Sequence, residues 1–263
     1  MPALHKMNLG WTGHFAEAWP GAPAFSTPSP GLLKALAADG IVVQAARFTE
    51  ASAQIVVELA EDITSQKLAQ RLKGRLQHDL KPRAAGFPGF ARNFLLRTLG
   101  QNTKDIVTAY IRDQVGRSDL VDPLYRERLQ ALCFHSDEGV IFRSSHAGLH
   151  DLFAHIVLVA GARYRMSSAE ARLVFDALKS ACLSTGLTPY EISMMPDHAH
   201  LLVRYPPDAG AEQVIERLKV ASGKLFGRSA FWSGGGYFGS VGPYPLRIAL
   251  DRNRRDGWCR PGL

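Results

Sequence analysis

One order of apolar periodicities runs twice along this chain, and that repetition limits its fold more than any single motif. In the second half, "LFAHIVLVAG" from Leu152 reads as a strand. "SAEARLVFDALKSACLSTG" reads as an amphipathic helix with Ser168 at its N-cap and Gly186 as its stop. "LTPYEISMM" and "HAHLLVRY" read as two strands across the turn "MPD", followed by the helix "AEQVIERLKVASGKLFG" and the strand "GYFGSV". The first half has "NLGWTGHF", "PGLLKALAADG", "IVVQAARF", "SAQIVVELA", "TSQKLAQRLKGRLQHDL" and "FARNFLLRTLG" in the same order. A shift of 146 residues lays Ser52–Val57 on "HAHLLV" and Arg71, Leu72 and Lys73 on Arg217, Leu218 and Lys219.

Two α/β repeats follow, residues 1–118 and 147–263, joined by 119–146 with a short helix near "PLYRERLQALCF". The turn "MPD" is too short for a parallel crossover and suits a hairpin. Each repeat is therefore expected as β-α-β-β-α-β-α, an antiparallel sheet with helices on one side. That makes the chain α+β, with two ferredoxin-like repeats resembling RNA-recognition-motif sheets.

"MMPDHAHLLVRY" places His198 and His200 on one face of a strand, with Ala199, Leu201 and Val203 on the other. Two imidazoles side by side form half of a metal site, although alone they fit two surface histidines equally well. The first repeat has Ser52 and Gln54 at the matching positions. Asp197 reads as the turn residue before the first histidine, in preference to a partner of the metal ligands. His135, His146, His150 and His155 read as structural or surface residues. In "QNTKDIVTAYIRDQVG", Tyr110 and Gln114 are spaced to stand one turn apart on one helix face. Tyr110 alone would pass as a boundary aromatic.

Together these motifs resemble a known family. "MPDHAHLLV" is similar to the His-hydrophobe-His strand of the single-tyrosine HUH transposases, of the IS200-like and REP-associated kind, which cut and rejoin single-stranded DNA. "NFLLRTLGQNTKDIVTAYIRDQ" resembles that family's second signature, a strand ending in Gly followed by a helix bearing Tyr-Ile and then Gln. "FWSGGGYFGSVG" resembles the same strand in the second repeat. Family members carry both motifs in one small chain and act as homodimers. Here the first repeat keeps Tyr110 and Gln114 without the histidines. The second keeps His198 and His200 but has Arg252 and Asp256 at the tyrosine and glutamine positions. The resemblance thus implies an intramolecular pseudo-dimer with one composite site and a second, inert one.

The implied chemistry is attack by Tyr110 on a phosphodiester, giving a 5′-phosphotyrosine and a free 3′-hydroxyl. A divalent ion, Mg²⁺ or Mn²⁺, would be held by His198, His200 and Gln114. The implied partner is single-stranded DNA, folded as a hairpin at element ends. Were Tyr110 not the nucleophile, Tyr244 is the next candidate.

Charge agrees with such a partner. The 263 residues carry a formal net charge of +7, which favours a polyanion. Two runs are candidate DNA contacts: Arg71, Lys73, Arg75, Lys81 and Arg83 in and after one helix, and Arg252, Arg254 and Arg255 near Trp258. Either run also reads as a solvated basic face. Cys133, Cys182 and Cys259 form no disulfide framework, and no segment reads as a signal peptide or a membrane span. The expected location is the cytoplasm, at the nucleoid, with no membrane partner and with further self-association left open. Two competing readings stand beside this one: a domesticated hairpin-binding protein without catalysis, and a metal hydrolase unrelated to DNA. The hydrolase lacks an HExxH motif or a second His/Cys cluster.

Overall fold

A computed structural model describes residues 4–24, 28–60, 63–136, 143–145, 148–225, 227 and 231–255. The first half contains β1 (Leu4–Phe15), α1 (Pro30–Ala38), β2 (Ile41–Phe48), β3 (Ser52–Leu59), α2 (Ser65–Arg83), β4 (Phe90–Leu99) and α3 (Lys104–Arg112). Next come α4 (Gln114–Arg117), α5 (Pro123–Gln130), β5 (Cys133–His135), β6 (Arg143–Ser145) and β7 (Gly148–Asp151). The second half contains β8 (Phe153–Val159), α6 (Ser168–Ser184), β9 (Thr188–Met194), β10 (His198–Arg204), α7 (Ala211–Leu225), β11 (Tyr237–Val241) and α8 (Leu246–Arg255). The expected β-α-β-β-α-β-α order is present in each half.

Local chemistry sets the boundaries. Ser29 and Thr64 cap α1 and α2 by accepting the amides of Leu32 and Lys67, both at 3.1 Å. The cap of α6 is Ser167, one residue before the expected Ser168. Its hydroxyl accepts the Glu170 amide while the Glu170 carboxylate accepts the Ser167 amide, a capping box. Gly186 follows α6 at φ 77°, where a glycine costs least.

The four strands of the first half are ordered β4-β1-β3-β2, and those of the second β11-β8-β10-β9. Within each half every pairing is antiparallel. In β10, Ala199, Leu201 and Val203 are fully buried in the main core, on the face opposite His198 and His200. The joining segment extends this framework. Its β5 pairs with the edge of β9, and α5 packs on α6 and β9.

Two parallel pairings join the halves, and they are reciprocal. The start of β1 pairs with β11, Leu4 opposite Tyr237 and Lys6 opposite Gly239. β7, which leads into β8, pairs with β4, Leu149 opposite Leu95 and Asp151 opposite Arg97. Where β4 and β11 end, the reciprocity reaches individual atoms. Thr98 Oγ1 donates to Val241 O at 2.5 Å, and Ser240 Oγ donates to Leu99 O at 2.6 Å. The Phe153 amide donates to Thr98 Oγ1 and the Asn8 amide to Ser240 Oγ, both at 2.9 Å. The Lys104 amide reaches Gly242 O and the Leu246 amide reaches Gly100 O. The two ferredoxin-like halves therefore form an intramolecular pseudo-dimer.

This crossing decides where the last helix of each half lies. α3 leaves the first half and packs on β9 and β10 of the second. α8 leaves the second half and packs on β2 and β3 of the first.

Candidate active site

β10 supplies two imidazoles and α3 brings a tyrosine to them. Val107 and Ile111 of α3 are buried against Phe153, Leu202 and Val241 of the second half. Burying each such side chain contributes on the order of 1.5–3 kcal/mol. The Arg112 guanidinium donates to the buried Glu191 carboxylate on β9 from Nε at 3.0 Å and from a terminal nitrogen at 2.8 Å. The Lys104 ammonium lies 3.7 Å from the centre of the Tyr190 ring. Held at both ends, α3 presents Tyr110 with its ring 5.5 Å from that of His200 and 5.9 Å from that of His155. Tyr110 remains exposed on its outer side.

The three histidines of this face form a chain of contacts. His198 Nε2 and His200 Nε2 are 3.1 Å apart, and His200 Nδ1 is 3.0 Å from His155 Nε2. His198 Nδ1 donates to Asp197 Oδ1 at 2.6 Å, and Arg163 donates to the other carboxylate oxygen at 3.0 Å. Burial works to raise the Asp197 carboxyl, but the hydrogen bonds and charges of His198 and Arg163 outweigh it and hold the group below its ordinary value. Burial pushes His155 down to about 4. Burial, then the neighbouring His155 and His198, push His200 down to about 3. Both rings are therefore neutral at pH 7.

Two nitrogen ligands about 2.1 Å from one ion, at a right angle, lie about 3 Å apart. The separation of the two Nε2 atoms fits that requirement. His155 faces the opposite nitrogen of His200 and cannot share the same ion. Among the described residues, no three His, Cys, Asp or Glu side chains are arranged to hold a metal. Gln114 begins the separate short helix α4, after Asp113 departs from helical geometry at φ −92° and ψ 0°. Its Nε2 donates to Tyr110 O at 3.1 Å, so its amide stays with its own chain segment. The residues present fit a divalent ion through His198 and His200, with further positions left to other donors.

A cavity of about 330 Å³ opens beside these groups, lined by Asn102, Ile106, Tyr110, His155, His200 and Tyr237 among others. A family model described as transposase IS200 like covers this strand pair and the histidines. Residues 149–242 match the IS200-like transposases. No curated protein matches the chain. Among solved structures, one from Deinococcus radiodurans R1 assigned as a transposase is 19% identical, covering 36% of this chain and 83% of its own, with a TM-score of 0.34. The ligand-free regulatory subunit of aspartate kinase from Thermus thermophilus is 18% identical, covering 83% and 93%, with a TM-score of 0.19. At those TM-scores neither likeness bears on the fold.

The transposase match ends at Gly242 and does not reach Tyr110, so the tyrosine enters the site from sequence outside the matched segment. The matched segment does include His155, which the sequence reading set aside as structural or surface. His155 lies two residues from Val157, which pairs with His200, so both histidines share a face through a strand pairing that the local sequence does not reveal. Asp197 likewise does more than turn the chain, because its carboxylate engages the His198 ring.

The expected DNA contacts are dispersed. Arg71 and Arg75 engage Asp39, Arg83 pairs with Asp79, and Lys81 is exposed. None of the basic residues of α2 lines the cavity at Tyr110. Lys73 donates to Ala91 O at 2.6 Å and to Arg92 O at 3.4 Å. Lys219 makes the equivalent bonds to Ser233 O, Gly234 O and Gly235 O. The lysine shared by the two repeats thus ties down the start of β4 in the first half and the segment before β11 in the second. Arg252, Arg254 and Arg255 belong to α8, but their side chains lie outside the described residues, as does His146. Among the described residues, no helix is long and apolar enough to cross a membrane.

Proposed function

We propose that this protein cuts and rejoins single-stranded DNA at one composite site, with Tyr110 of the first half as nucleophile beside His198 and His200 of the second. The observation that carries the reading is the placement of the Tyr110 ring 5.5 Å from His200 by a helix that crosses from the other half. Tyr110 attacks the scissile phosphorus, its phenol gives up a proton, and the bond to the 3′ oxygen breaks as that oxygen takes one up. The product is a 5′-phosphotyrosine with a free 3′-hydroxyl, and the reverse attack reseals a strand. Because the phosphotyrosine stores the bond, no nucleotide cofactor is needed. Mg²⁺ or Mn²⁺ bound at His198 and His200 would draw charge from the phosphate oxygens. Asp197 holds the His198 ring in place, and α3 sets the reach of the tyrosine.

The substrate is proposed to be a DNA hairpin, met in the cytoplasm at the nucleoid. The matching registers are also the trace expected of a duplicated gene in which each copy lost the half-site the other retained. A second reading, hairpin binding without cutting, draws support from Gln114, whose amide is turned to Tyr110 O. A nicking assay on end-labelled single-stranded hairpins with Mg²⁺ or Mn²⁺ separates the two. Cutting with a protein-linked 5′ end is the expected result. Binding with no adduct in either metal would sink the catalytic reading.

A further inference from the structure

We infer that His155 is a positioning residue for His200: its Nε2 accepts the Nδ1 proton of His200, which leaves His200 Nε2 open toward an ion. The inference rests on the metal site proposed above.

A neutral imidazole carries one N–H, and whatever faces one nitrogen decides which nitrogen keeps a lone pair. For His198 the matter is settled by Asp197, whose carboxylate can only accept at Nδ1, at 2.6 Å. Its Nε2 is left facing His200 Nε2 at 3.1 Å. His200 must present the same nitrogen to share an ion with it, so its proton belongs on Nδ1. The atom facing Nδ1 at 3.0 Å is His155 Nε2. The two rings are tilted by only 18°. Tyr110 and Tyr237 hold the His155 ring by edge contacts at 5.9 and 5.5 Å between centroids. His155 therefore does for His200 what Asp197 does for His198, and it does so with no net charge.

The other half of the molecule supplies a comparison within the same chain. His155 pairs with Leu202 on one side and Gly239 on the other. The residue in the same register of the first half is Gly10, between Val56 and Arg97. The half with Ser52 and Gln54 instead of imidazoles thus has no imidazole at the third position either. A histidine present only to fill space on β8 has no reason to follow the other two.

The test uses the full chain. Ring-nitrogen NMR of isotope-labelled histidines in saturating Mg²⁺, with the His200 signals identified by their loss in His200→Gln, reads its protonated nitrogen directly. Nδ1–H is expected in the unsubstituted protein, and Nε2–H would overturn the inference without any change at His155. Calorimetric titration with Mn²⁺ alone gives the second readout. Loss of a metal ligand's hydrogen-bond partner typically costs roughly 10–100-fold in affinity, so His155→Leu should weaken Mn²⁺ binding by that factor. His155→Gln should restore most of it, because the amide oxygen accepts in place of Nε2. A saturable Mn²⁺ site of unchanged Kd in His155→Leu overturns the role of His155 alone. If the unsubstituted protein shows no saturable site, the metal reading fails, and this inference fails with it.

Discussion

Gly100 and Gly242 each leave room for the other half of the molecule. A Cβ on Gly100 would stand 2.3 Å from Ser240 O, and one on Gly242 would stand 2.4 Å from Thr98 O. Both obstacles are backbone atoms of a strand, which cannot swing aside as a side chain could. The pseudo-dimer closes only because the chain has no side chain at these two points.

Gly100→Ala and Gly242→Ala should therefore destabilise the fold to a similar degree. Overpacking of this kind costs about 1–3 kcal/mol or more. For a chain of this size that lowers Tm by several degrees. Thermal unfolding followed by circular dichroism checks it, and a Tm within a degree of the parent protein would contradict the crossing.

Arg112→Met should loosen the tyrosine helix. Among the described residues, the buried Glu191 carboxylate would keep only His135 as a side-chain hydrogen-bond partner, and losing a charged hydrogen bond costs about 1.5–3 kcal/mol. The amides of α3 should exchange faster with solvent while those of α6 stay protected. Adduct formation should fall with hairpin affinity little changed, because Arg112 does not line the cavity. Equal loss of protection across both helices would mean global unfolding and not release of α3.

Much of this fold was legible because hydrophobic period is a local property. The element order in each half, the antiparallel "MPD" hairpin and the burial of Ala199, Leu201 and Val203 all follow from short-range pattern. What the sequence hid are relations between distant segments. The strand partners of Gly100, the bond from His200 to His155 and the crossing of α3 depend on pairs of residues that no window contains. Lys73 shows the same limit. Basic periodicity on an exposed helix suggested a phosphate contact, whereas its ammonium reaches two carbonyls brought close by β4. Gln114 differs for a local reason that spacing alone misses, since the helix departs from ideal geometry at Asp113.

His198→Ala and His200→Ala should each weaken Mn²⁺ binding and DNA cutting together, since both are proposed to touch the same ion. Gln114→Ala offers a contrast. With its amide bonded to Tyr110 O in the free protein, its loss should leave Mn²⁺ affinity without DNA nearly unchanged. If Gln114 joins the ion only when DNA is bound, Gln114→Ala should still slow cutting at least tenfold, about 1.4 kcal/mol of barrier. Calorimetry and single-turnover cutting on the same preparations separate the two effects.

Tyr110→Phe removes one oxygen atom and nothing else. The ring contacts to His155 and His200 need no hydroxyl, and no described residue bonds to it, so fold and hairpin affinity should hold. The covalent protein–DNA adduct, read as a shifted band on a denaturing gel, should vanish. Persistence of the adduct would move the nucleophile elsewhere, and the structure ranks the replacements differently from the sequence. Tyr244, next by sequence, accepts a hydrogen bond from Arg97 at 2.8 Å and packs with the elements around α8. Tyr237 instead lines the same cavity as Tyr110 and His200. A Tyr237→Phe variant on the Tyr110→Phe background would then abolish the residual adduct, and survival of the adduct in that double variant would place the chemistry outside this cavity altogether.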